Sequence, residues 1–107
     1  MGTTANCYLN EVGKVLKKLR VDYGENQIQQ GKRLGFNPAY LSMVSTDRRG
    51  LSFDMYKSIM EHYGSAAENY KPVLKNALVK ADVRMRFKET FPDATDEQIV
   101  YVMYGEK

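Results

Sequence analysis

The sequence predicts an all-α protein, with a compact four-helix unit over residues 1–64 and an additional helical segment over residues 65–107. Three observations carry this expectation. Apolar residues recur at three- and four-residue intervals in stretch after stretch. No convincing strand pattern interrupts them. Glycine, proline and capping residues fall where the helical stretches would begin or end. The 107 residues suit one domain, or one domain with an appendage, and the apolar fraction of 43% supplies a modest core.

The first helix is marked by Leu9, Val12, Leu16, Leu19 and Tyr23, with Lys14, Lys17, Lys18 and Arg20 on its other faces, and it ends near Gly24. Asn26 offers an N-cap for a short second helix from Gln27 to Leu34. Gly35 stands where a helix end tolerates positive φ. Phe36 then acts as a buried spacer, Asn37 caps the next helix, and Pro38 takes its first position, where a missing N–H costs nothing. Two short helices with a turn of a few residues between them form a helix-turn-helix.

The third helix runs from Pro38 to Ser45, with Leu41 and Val44 inward. "STDRRG" follows as a polar loop. Ser52 caps a fourth helix carrying Phe53, Tyr56, Ile59, Met60 and Tyr63, and Gly64 ends it. Beyond it, "SAAENYKP" reads as a connection. One helix is then expected through Leu74, Leu78, Ala81 and Met85, with Val79, Val83 and Phe87 on an adjacent face, ending before Pro92. The capping-box spacing of "TDEQ" from Thr95 to Gln98 opens a last helix with Ile99, Val102 and Met103, closing at Gly105. Tyr101 and Tyr104, with Val102 and Met103, are expected to be packing residues.

Several classes of chemistry find no support. Cys7 is the single cysteine and has no partner for an internal disulfide or a cysteine-based metal site. His62 is the single histidine and lies in a helical pattern, so a structural role is expected for it. No nucleophile–base set, HExxH, P-loop or GxGxxG is present. An enzyme is not expected, nor is a metal, a cofactor or a small-molecule substrate. No signal peptide or membrane-spanning run is visible, which makes a cytoplasmic protein the expectation.

Charge is distributed unevenly. Residues 1–64 hold nine Lys/Arg against six Asp/Glu, whereas residues 65–107 hold seven of each. The whole excess of +3 is therefore N-terminal, and between Lys14 and Arg49 it tightens to eight basic against three acidic residues. A phosphate-contacting face shows such asymmetry, and so do ordinary solvated surfaces. Lys14, Lys17 and Lys18 read as a solvated helix face.

From Gln27 to Val44 the sequence resembles the Cro and lambda-repressor type (XRE) helix-turn-helix family. The resemblance rests on Gln27 at the first position, Gly31 in the small-residue slot, Leu34, Gly35 at the turn, Phe36, and "YLSMV" in the second helix. "VLKKLR" before it and "DRRG" after it extend the likeness over residues 9–64. The resemblance implies a compact four-helix lambda-repressor-like domain binding double-stranded DNA as a homodimer. Asn37, Ala39, Tyr40, Ser42 and Met43 would then face base edges, while Gln27, Lys32, Arg33, Thr46, Arg48 and Arg49 would contact phosphate.

Gln30 stands where that family usually has an aliphatic residue, which predicts a weaker core there, and Ser45 stands where it often has glutamate. The expected function is a sequence-specific transcriptional regulator, a repressor of phage, plasmid or bacterial type, with residues 65–107 supplying the dimer interface or packing to create it. The alternative is a protein-interaction module on a degenerate helix-turn-helix, such as an antitoxin, a phage-encoded inhibitor or an adaptor. The scarcity of long polar side chains at Pro38, Ala39 and Met43 favours that alternative.

Overall fold

Side-chain caps decide where the first four helices and the last begin. The computed structural model describes residues 9–105, and among them every regular element is a helix. Cys7 lies outside the described residues. The Asn10 side chain accepts a bond from the Gly13 N–H and opens α1, Glu11–Tyr23. Asn26 and Gln29 form a reciprocal capping box at the start of α2, Gln27–Leu34. Asn37, with Pro38 in the first turn, opens α3, Pro38–Ser45, and Ser52 opens α4, Phe53–Tyr63. Gly35, at φ 82°, adopts the left-handed conformation that lets α2 stop within one residue.

Two glycines inside helices set how closely the elements approach. A Cβ on Gly13 would lie 2.8 Å from the Ser45 carbonyl oxygen and 2.9 Å from the Ser45 Cβ, so α1 and the end of α3 meet with nothing between them. A Cβ on Gly31 would lie 2.6 Å from the Phe36 carbonyl oxygen. The need for a small residue at position 31 thus comes from the backbone of the turn, which folds back onto α2. Phe36, expected as a buried spacer, is half-buried and stacks on Tyr40 with ring centres 5.5 Å apart.

Leu16, Leu19, Leu41, Met55 and Ile59 form the fully buried centre of these four helices. Burying each contributes about 1.5–3 kcal/mol relative to leaving it in water. The buried set continues past Gly64 through Ala67, Leu74, Leu78, Ile99 and Val100 in a single cluster. α6, Lys71–Leu78, packs on α1 and α4, and α8, Asp96–Tyr104, packs on α6.

Residues 65–107 depart from expectation in three ways. The "SAAENYKP" connection contains a one-turn helix, α5, Ser65–Glu68. The single helix expected across residues 74–87 is two, because Val79 and Lys80 adopt extended backbone and a separate α7, Ala81–Thr90, follows. Arg84 stabilises the break. Its guanidinium donates to the Asn76 and Val79 carbonyls at the end of α6, and it pairs with Asp96 at the start of α8 (Nε to Oδ1, 2.9 Å). The Asn76 amide donates to the same carboxylate. These bonds hold the Asp96 carboxyl below its ordinary pKa, the Arg84 hydrogen bond being the main cause.

The third departure concerns apolar faces. α7 buries no side chain, and Met85, expected on an inner face, is largely exposed. In α8, Ile99 and Val100 are buried, whereas Val102, Met103, Tyr101 and Tyr104 are exposed rather than packed away. Tyr104 nevertheless stacks on Phe53 of α4, with ring centres 4.5 Å apart.

Gln30 gives the opposite of the weak core its polarity predicts. It is fully buried, and every arm of its amide is used. Its Nε2 donates to the Leu16 carbonyl at 2.9 Å and to the Tyr63 hydroxyl at 3.1 Å, and its Oε1 accepts from Arg20 at 2.9 Å. Tyr63 in turn donates to Glu25 at 2.9 Å. α1, α2 and α4 are thus joined by a polar network in which the buried amide is satisfied, which is the condition for such a group to stabilise rather than weaken an interior.

Candidate nucleic-acid interface

α3 turns one side to the core and leaves the other open. Leu41, Val44 and Ser45 are buried, while Asn37, Ala39 and Ser42 are exposed and Tyr40 and Met43 are half-buried on the flanks. Positions 39, 42, 43 and 46 fall on one stripe of the helix. Nothing within the described residues covers that stripe, so all five side chains expected to face bases lie on or beside an open surface.

The support beneath α3 is rigid at both ends. At its start, Gln27 Nε2 reaches across from α2 and donates to the Pro38 carbonyl at 3.2 Å, while the Asn37 side chain accepts from the Ala39 N–H at 2.7 Å. Ser58 of α4 donates to the Leu34 carbonyl at 2.7 Å and closes the end of α2 just before the turn. At the far end, Asn10 Nδ2 donates to both the Val44 carbonyl at 2.7 Å and the Asp47 carboxylate at 2.6 Å, and the Asn10 N–H donates to the Ser45 carbonyl at 2.9 Å. Asp47 is the one non-glycine with positive φ among the described residues, at 67°. Its αL turn is thus tied to the N-terminus of α1.

The residues expected to contact phosphate separate into groups. Arg48 and Arg49 are exposed, and neither makes an ion pair among the described residues. Their backbone N–H groups both donate to the Met43 carbonyl, which wraps the loop against the end of α3. The Arg49 guanidinium lies 5.7 Å over the Tyr40 ring, which itself stacks on Phe36. Arg49, Tyr40 and Phe36 therefore form a column beside the open stripe. Thr46 directs its hydroxyl to the Ser42 carbonyl at 2.8 Å.

Arg33 is drawn elsewhere. It pairs with Glu25 at 2.6 Å and lies over the rings of Tyr23 and Tyr63, at 4.8 and 5.4 Å, so its charge closes the α1–α2–α4 network. The Glu25 hydrogen bond raises its pKa further above the ordinary arginine value. Lys32 is exposed at the end of α2.

Three positioning residues were not singled out from sequence for their part in this surface. Asn10 and Gly13 fix where α3 ends relative to α1, and Gln30 fixes α2 against α1 and α4. A glycine inside an amphipathic helix is a readable sign of close backbone approach. The bonds of Asn10 to residues more than thirty positions away leave no comparable local sign.

Among the described residues no cluster of three or more metal-ligating side chains occurs, and no helix is long and apolar enough to cross a membrane. Compared with protein-family models, curated proteins and solved structures, the chain shows no match to any of them.

Proposed function

We propose that the protein is a sequence-specific DNA-binding regulator, a repressor, that inserts α3 into the major groove and acts as a homodimer. In this reading residues 9–64 are a lambda-repressor-like helix-turn-helix domain. One observation carries the proposal: α3 is braced at both ends and packed on one side, while its outer stripe stays uncovered beside two unpaired arginines. The major groove of B-DNA admits one helix of this width, and a rigid mount is what orients side chains against base edges.

Residue roles follow from position. Asn37 and Ser42 supply hydrogen-bonding groups, and Ala39 and Met43 supply apolar contact of the kind that suits thymine methyls. Tyr40 is aimed by its stack with Phe36 and Arg49. Arg48, Arg49, Thr46, Gln27 and Lys32 are the phosphate contacts, giving register and affinity. Arg33 contributes through the fold, since Glu25 already holds its charge.

The test is the salt dependence of duplex binding. A binder with several phosphate contacts loses about 10³-fold or more in affinity between 50 and 200 mM salt. Arg48→Ala with Arg49→Ala should reduce the slope of log K against log salt by about 2, at unchanged thermal stability. An unchanged slope removes the loop from the interface. The short side chains at Pro38 and Ala39 favour the second reading, a protein-binding module. Under that reading, selection from random duplexes yields no motif and binding is flat with salt.

A further inference from the structure

The geometry points to the α7–α8 face as the surface on which a second copy of this chain docks, through an isologous two-fold contact. The inference rests on the homodimer reading above and names where that contact lies. α7 is a ten-residue helix without a single buried side chain. Helices of that length are marginal in water, and tertiary packing of an apolar face normally supplies their stability. Within its own chain, α7 packs on the core only through Val83 and Phe87, each half-buried.

An open groove of about 1110 Å³ runs between α7 and α8, lined by Phe87, Phe91, Pro92, Tyr101 and Val102. Phe91, Tyr101 and Val102 are 56%, 48% and 65% exposed. At 150–250 Å² for an aromatic side chain, their exposed fractions leave roughly 300 Å² of apolar surface uncovered. Two copies meeting here would cover about 600 Å² of apolar surface between them, less than a standard specific interface buries, so the expected association is weak.

Charge selects the occupant. Asp93 and Glu97 edge the groove, while Arg86 edges the smaller hollow that adjoins it across Phe87 and Phe91. All three are exposed, and none makes an ion pair among the described residues. An apolar patch with acid at one end and base at the other is its own complement after a two-fold rotation, because each rim then meets the opposite sign. Dimerisation here also leaves the outer stripe of α3 free.

Sedimentation of the full chain tests this over about 1 to 500 μM. The wild type should pass from monomer to dimer within that range. Phe91→Asp should stay monomeric with an unchanged circular-dichroism melt. Arg86→Glu alone and Glu97→Lys alone each set like charges against each other at both rims of a self-pair, and each should weaken association about tenfold or more. Mixed in equal amounts, the two variants present opposite charges at both rims and should pair at the wild-type concentration.

A wild type that stays monomeric throughout, a Phe91→Asp variant that still dimerises, or a mixture no tighter than its components would each overturn the assignment. Binding of the wild type to a random duplex at low salt separates the two readings. A monomer that binds duplex removes this interface alone, and a dimer that ignores duplex removes DNA binding while leaving the interface.

Discussion

α3 holds eight residues and buries three of them, Leu41, Val44 and Ser45; α7 holds ten and buries none. Both are short and superficial, yet their outward sides differ in kind. The open stripe of α3 carries small and polar groups with one half-buried methionine, Met43, on a mount braced by Asn10, Gln27 and Ser58. The open side of α7 and α8 carries phenylalanine, tyrosine and valine. Exposure at α3 is compatible with water until a polar ligand arrives, whereas exposure at α7 leaves apolar area that water disfavours. A surface helix is therefore better judged by what it shows and what holds it than by how exposed it is.

The largest expected effect breaks the α3 side of this comparison. Leu41→Ala should lower stability by about 2–5 kcal/mol in urea titration, because a fully buried leucine leaves a cavity. On the α7 side, Phe91→Ala should change monomer stability by less than about 0.5 kcal/mol. Comparable losses at the two positions would mean that α7 is as well packed as α3.

Gln30→Leu comes next. It restores an aliphatic residue, yet it should cost about 1–3 kcal/mol in the same titration, since the Leu16 carbonyl, the Tyr63 hydroxyl and Arg20 each lose a partner inside the fold. A stabilised variant would show that the network contributes nothing.

Alkaline pH probes the same cluster. Burial, helped by the bond to Glu25 and opposed by the bond from Gln30, pushes the Tyr63 hydroxyl up to about 12 from its usual 10. The folded state thus favours the protonated phenol. That contribution, on the order of 2 kcal/mol, should be fully present below pH 10 and vanish as pH rises toward 12. Denaturant midpoints measured across that range should fall in the wild type, and this component should be missing in Tyr63→Phe.

Asn10→Ala should cost about 1–2 kcal/mol by thermal melting. It should also weaken any partner bound by α3, because the variant frees the end of that helix and the Asp47 turn together.

What could be read from sequence follows the range of the interactions. The limits of α2, α3 and α4 were legible because Asn26, Gly35, Asn37, Pro38 and Ser52 act within a few residues of themselves. The Thr95–Gln98 box was legible for the same reason. The break after Leu78 was not, since it depends on Arg84 meeting Asp96 and two carbonyls from α6 and the connection. Periodicity alone continued the helix through it. The burial of Gln30 depends on groups from two other helices, and the diversion of Arg33 depends on Glu25, Tyr23 and Tyr63. Within the site, the open stripe of α3 could be read from spacing, but the mount that holds it could not.

The Asn10 carboxamide has both of its hydrogens engaged, one by Val44 and one by Asp47, while its oxygen takes the Gly13 amide. In a nitrogen-15 spectrum this one group becomes a built-in gauge. Its paired resonances should stay separate and exchange slowly with heavy water as long as the leading end of the protein grips the third rod. Their collapse or displacement on adding a ligand would register a tilt of that rod without any engineered label.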